Sequence, residues 1–130
     1  MKIIQPSHWA RPRGYSNGVA AKGQVVFVSG MIGWDSQCRL VSDDFAGQVR
    51  QALLNIIEVL AEVNAKPENV VRMTWYVVDK KQYLSASKEI GVIYRETMGR
   101  HYPAMTAVQV AGLMEDKALV EIEATALIPE

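Results

Sequence analysis

The chain has 130 residues, is 49% hydrophobic, and balances 14 basic against 14 acidic side chains. That length suits one domain over residues 1–130 with one core, and the apolar content excludes a disordered segment. The even charge gives nucleic acid or an anionic membrane no footprint, the single cysteine, Cys38, excludes an internal disulfide, and no apolar run approaches the roughly 20 residues that span a bilayer. The opening MKIIQPSHW lacks the apolar stretch of a secretory signal, so a soluble, cytoplasmic protein is expected.

Lys2 to Ile4 reads as a short strand, and Pro6 and Pro12 then break the chain through Gln5 to Arg13. That segment concentrates Trp9, Arg11 and Arg13, the composition of a surface or subunit contact that also offers guanidinium groups to a carboxylate. Tyr15 to Ala21 and Gln24 to Ser29 read as a hairpin. The continuous run Val25 to Val28 suits a central strand covered on both faces. Gly30 and Gly33 bracket a bend, and Trp34 to Val41 is loop-like.

Ser42, Asp43 and Asp44 open a helix, with acids at the positive end of its dipole. Phe45, Val49, Leu53, Ile56, Leu60 and Val63 stripe one face, and Asn64 and Pro67 end it. Val70 to Val78 alternates as a strand, with Val71, Met73, Trp75 and Val77 on one face and Arg72, Thr74 and Tyr76 on the other. Tyr83, Ser87, Ile90, Tyr94 and Thr97 stripe a second helix, which Gly99 is placed to terminate.

The stretch from His101 to Ala126 organises the rest. Met105 to Gly112 and Leu119 to Ala126 alternate at period two around the polar LMEDKA, which reads as a hairpin. Val108 and Val110 of one strand, and Val120, Ile122, Ala124 and Ala126 of the other, should face the core. The opposite face would carry Met105, Ala107, Gln109, Glu121 and Glu123. Two acids on such a face suit either an edge-protecting surface or a cleft acid. Helical crossovers bring parallel strands together, and two helices on one face of a sheet leave its other face bare, which argues for oligomerisation. No histidine, cysteine or acidic grouping has metal-ligand spacing, GYSNG lacks the lysine and spacing of a phosphate loop, and no cofactor is implied.

The Pro103–Ala104 pair after a helix, the small-residue strand and VEIEATA at 120–126 resemble the closing signature of the Rid family (YjgF-like reactive-intermediate deaminases). GYSNGV at 14–19 and VFVSGMIG at 26–33 extend the resemblance over nearly the whole chain. It implies a chorismate-mutase-like α+β fold, with a mixed six-stranded sheet and two helices on one face. It also implies a homotrimer holding small molecules in clefts between subunits. Residue by residue, it places Tyr15, Ser29, Gly30 and, more loosely, Ser87 in the cleft as substrate-binding groups. Glu121 matches the carboxylate that holds the hydrolytic water, and Glu123 takes a structural part.

One departure matters most. The deaminating members carry an arginine directly after the Pro-Ala pair, and this chain has Met105 there. Methionine cannot form the bidentate carboxylate contact and makes the cleft more apolar. The resemblance therefore implies a divergent enamine or imine hydrolase, poor on 2-aminoacrylate and suited to a larger unsaturated or aromatic-derived substrate. Arg11, Arg13 or Arg72 could supply the missing anchor. The alternative is a non-catalytic small-molecule-binding trimer of the same fold; RNA cleavage, a label some relatives carry, fits the balanced charge least.

Overall fold

The computed structural model describes residues 1–130. In chain order the elements are β1 (Lys2–Ile4), β2 (Gly18–Ala20), β3 (Gln24–Met31), α1 (Phe45–Ala61), β4 (Val70–Val77), α2 (Lys80–Ser85), α3 (Ser87–Met98), β5 (Ala104–Gln109) and β6 (Val120–Ile128). The α+β architecture is the expected one. Its six strands divide into a four-stranded mixed sheet, ordered β3-β6-β4-β5, and a two-stranded ribbon, β1-β2. A parallel bridge from Ser16 to Ala104 joins the ribbon's approach to the edge of the sheet.

Neither expected hairpin forms. β2 pairs with β1, and β5 lies parallel to β4 at the sheet edge. β6 crosses to the far side of β4 and pairs antiparallel with both β4 and β3. The crossover through α2 and α3 returns the chain parallel to β4, so β5 occupies one flank of β4 and β6 takes the other. The connection from Val110 to Leu119 passes the end of β4, where Val110 N–H donates to the Val77 carbonyl and Val78 N–H to the Leu119 carbonyl, at 2.8 and 3.3 Å. β3 is consequently an edge strand, not a central one. Only Val28 of its apolar run is buried, and Phe27 is 79% exposed.

The helices form where their sequence signals lie. Asp44 is the N-cap of α1, its carboxylate accepting from Gly47 N–H at 3.1 Å, while Ser42 Oγ accepts from Asp44 N–H at 2.9 Å. Phe45, Val49, Leu53, Ile56 and Leu60 are all buried; Val63 lies past the helix end and is exposed. The second helical stretch divides at Ala86 into α2, capped by the Asp79 carboxylate, and α3, which ends at Gly99 with φ +76°.

Strand register decides the two faces of the sheet. Met73, Trp75 and Val77 of β4 and Val120, Ile122, Ala124 and Ala126 of β6 are buried beneath the helices. Arg72, Thr74, Tyr76, Glu121, Glu123 and Phe27 share the opposite, open face. The faces expected for β6, and for β4 from Met73 onward, hold; at the start of β4 a register irregularity buries Val70 and leaves Val71, expected on the core face, only half-buried. The face expected for β5 is reversed: Met105 pairs with Met73 and packs against the core, whereas Val108 pairs with Tyr76 and is exposed. β5 mixes apolar and polar residues on both parities, so its pattern alone could not fix its face.

A buried glutamine ties the long β5–β6 connection to α1. Gln48 Nε2 donates to the carbonyls of Ser42 and Lys117 at 3.0 and 3.1 Å, and its Oε1 accepts from Leu119 N–H at 2.8 Å. Each polar atom of this fully buried side chain is thus satisfied.

Candidate active site

Gly30 sits at the irregularity between Val28 and Met31, where β3 shifts register against β6. A Cβ at Gly30 would overlap the Glu121 carboxylate, so glycine is what lets that acid stand against the bend. α1 fixes the bend from behind. Asn55 Nδ2 donates to the Ile32 and Trp34 carbonyls at 3.1 and 2.9 Å, and Gln51 orients Asn55 through a 2.8 Å bond to its Oδ1. Gly30, Trp34, Asn55, Met114 and Glu121 thereby line a cleft of about 380 Å³, with Met114 fully in solvent at its rim.

The two β6 acids differ in their partners. Glu123 Oε1 accepts a hydrogen bond from the Tyr76 hydroxyl at 2.6 Å. That bond, followed by partial burial and the charges of Glu123 and Glu121, pushes the Tyr76 phenol above its ordinary pKa. Glu121 accepts no hydrogen bond from within the protomer, which leaves its carboxylate free at the cleft. Ser29 lies outside this cleft, on the open sheet face beside Phe27, Arg72, Thr74 and Glu123.

A second cleft, of about 270 Å³, opens on the helix side of β4 and β5. Met105 and Ser87 line it together with Arg13, Arg95, Trp75 and Tyr83. Its aromatic wall is ordered by packing. Trp75 meets Tyr83 edge-on at 6.2 Å, and Tyr94 stacks on Tyr102 at 5.4 Å. The Tyr94 hydroxyl donates to the His101 carbonyl at 2.7 Å. Burial first, and then neighbouring Tyr102, raises the Tyr94 pKa; burial alone raises that of Tyr83. Tyr15 is exposed beside this region and lines neither cleft.

The structure therefore brings Gly30 to Glu121, and Ser87 to Met105, but separates the pairs onto opposite faces of one sheet. Sequence reasoning placed Met105 and Glu121 on a common face; the register of β5 on β4 corrects this. It also missed Ser16, whose hydroxyl donates to the Tyr102 carbonyl and whose N–H donates to the Pro103 carbonyl at 2.9 Å. Ser16 is the buried polar residue of GYSNGV, and it docks that segment on the Pro103–Ala104 corner. No group of histidine, cysteine and acidic side chains is arranged to hold a metal ion.

These features define a small α+β domain with helices on one sheet face, a free strand-borne acid on the other, and clefts of small-molecule size. The chain belongs to the Endoribonuclease L-PSP family, whose profile matches residues 8–128, and the resemblance to Rid proteins is borne out. It is 33% identical to a RutC family protein of Synechocystis over 99% of this chain and 98% of that one. It is also 33% identical to the human 2-iminobutanoate/2-iminopropanoate deaminase, over 87% of this chain and 79% of the human one. The solved structure of YyfB, a Rid-family protein of unknown function from Yersinia pestis, superposes with a TM-score of 0.87 at 31% identity, covering 98% of both chains.

Proposed function

We propose that this protein is an imine or enamine hydrolase whose site forms between subunits of a homotrimer. The observation that carries the reading is the opposition of the two half-sites. Glu121 and Gly30 lie on the open sheet face and Met105 and Ser87 on the covered one, so a site that uses both draws them from different copies. The open face supplies the means of assembly, with Phe27, Val25 and Val108 exposed along it. The kinship with a relative named as an iminobutanoate and iminopropanoate deaminase supports the reaction class.

The chemistry asked of the site is modest. An enamine first takes a proton on carbon to become the iminium, the protonated imine. Water then adds to the imine carbon, giving a carbinolamine; its C–N bond breaks, the carbonyl forms and ammonia leaves. Glu121 is the free base in position to take a proton from that water and return it to the departing nitrogen. Gly30 and Ser87 are assigned to substrate contact, and Ser29, on the open face outside the Glu121 cleft, and Tyr15 join them only once a neighbouring copy is in place. Glu123, engaged by Tyr76, has a structural role. RNA cleavage, suggested by the family's description, is less well supported, because the chain's 14 basic residues are matched by 14 acidic ones.

Met105 occupies the position where the deaminating relatives are held to carry arginine, so a small imine whose carboxylate would be gripped from that position should be a poor substrate. Loss of a charge-assisted contact worth about 1.5–3 kcal/mol predicts at least about a tenfold deficit on 2-aminoacrylate. The test is a coupled assay in which a pyridoxal-phosphate dehydratase releases the imine and semicarbazide competes for it. A panel of imines of increasing size should include one whose hydrolysis is accelerated, with that acceleration lost in Glu121→Gln and kept in Glu123→Gln. No acceleration on any imine would leave a binding trimer of the same fold, and equal effects of the two substitutions would remove the special role of Glu121.

A further inference from the structure

We infer that Arg13 and Arg95 form the anion anchor of this protein, and that they select a carboxylate joined to a flat, unsaturated or aromatic body. The inference deepens the hydrolase reading by naming its substrate class, and rests on that reading only for what happens after binding.

Several observations converge on the tyrosine-walled cleft. Ser87, Gly91 and Arg95 recur every fourth residue of α3 and all line it, flanking the buried Ile90 and Tyr94. The Arg95 guanidinium lies over Gly91, where an added Cβ would meet its Nη1 at 3.4 Å. The cleft's second cation, Arg13, comes from the irregular segment before Ser16, which the Ser16 bonds to Tyr102 and Pro103 dock onto the same corner. Neither arginine takes part in an ion pair or a side-chain hydrogen bond; the protein's ion pairs are Arg39–Asp35 and Arg50–Glu96. No aspartate or glutamate lines the cleft, so its border carries two exposed arginines with no acidic partner, in a protein of zero net charge.

Trp75 is 3% exposed, lines the cleft, and its buried indole N–H makes no hydrogen bond. The Ser87 hydroxyl adds a donor on the helix side. Two guanidinium forks and a hydroxyl together describe a site for an oxygen anion. Trp75, Tyr83, Tyr102 and Met105 form its remaining walls and favour a planar body over a bare two- or three-carbon acid. The volume of about 270 Å³ sits just under the roughly 300–1,000 Å³ of typical ligand pockets, matching a small one-ring compound.

The experiment is calorimetric titration of the intact protein with phenylpyruvate, the 2-oxo acid that hydrolysis of the corresponding imine would leave. Pyruvate and neutral phenylacetone serve as comparison ligands. Phenylpyruvate should bind most tightly. Arg13→Ala and Arg95→Ala should each weaken it by at least about tenfold, Arg95→Lys by less, while phenylacetone responds to none of them. Arg50→Gln, which removes an ion pair to the same helix away from the cleft, should bind as the wild type does. Unchanged phenylpyruvate affinity in both alanine variants, or phenylacetone binding as tightly as the acid, would overturn the inference. So would tighter binding of phenyl phosphate, by reassigning the anchor to phosphate. Binding through these arginines without hydrolysis of any imine would leave the anchor standing and remove the hydrolase reading. Hydrolysis that is indifferent to Arg13 and Arg95 would do the reverse.

Discussion

The two faces of the four-stranded sheet are made from the same strands yet do different work. Beneath the helices, Met73, Trp75, Val77, Val120 and Ile122 alternate into a closed apolar layer. On the other side the intervening residues include Arg72, Tyr76, Glu121 and Glu123, with Phe27 uncovered among them. The covered face carries the free energy of folding of one copy. In our reading the open face carries both assembly and the acid of the site, so substitutions on the two faces should fail in different ways.

The largest contrast should come from Phe27→Glu. Buried against a neighbouring copy, an unpaired carboxylate would break the assembly, so sedimentation should report a species near the protomer mass of 14.5 kDa that keeps its secondary structure. A variant still trimeric would show that this part of the face is not the contact. Ile122→Ala, one position away from Glu121 but pointing to the helices, should instead cost about 2–5 kcal/mol in urea unfolding of the assembled protein. A cost no greater than that of a typical surface change would erase the distinction between the faces.

Smaller effects sharpen the comparison on the helix side. Gln48→Leu keeps the volume but strands the Leu119 N–H and two carbonyls, and should destabilise by about 1–3 kcal/mol. Amide hydrogen exchange should rise first in residues 110–119, the connection that Gln48 secures. Tyr94→Phe removes one hydrogen bond to the His101 carbonyl, at about 1 kcal/mol near neutral pH. Its pH signature is more specific. The folded-state pKa of Tyr94 is raised by burial, so its stabilising effect is complete below the unfolded value near 10 and is lost as pH climbs toward the folded one. Wild-type stability should thus fall above about pH 10, and Tyr94→Phe should flatten that decline. Parallel alkaline slopes in the two proteins would count against the burial of this phenol.

Local signals in the sequence were legible and pairings were not. The stripe from Phe45 to Leu60, the alternation of β4, the Gly99 stop and the bare sheet face all follow from residues close together in the chain. The insertion of β6 between β3 and β4 depends on contacts between distant segments, and neighbouring strands in sequence invited hairpins that do not exist. β5 could be assigned to either face because Met105 and Val108 are both apolar and lie on opposite parities. Gln48 escaped notice since a glutamine in a helix ordinarily reads as solvated. Its position three residues after Phe45, on the buried stripe, was the available signal. At the site, the motif residues Gly30 and Glu121 were found by resemblance. Their contact, and the gathering of Arg13, Arg95 and Trp75 around Met105, required the fold.

The central claim, that one site is built from two copies, is tested most directly by subunit complementation. Glu121→Gln disables the acid, and Ser87→Trp fills the tyrosine-walled cleft; each should be inactive alone on an imine that the wild type hydrolyses. Mixed trimers assembled from equal amounts of both should recover roughly a quarter of the wild-type sites, because a pairing of two intact halves arises only across subunits. Mixed trimers as inactive as their parents would place both halves of the site within a single copy and contradict the account.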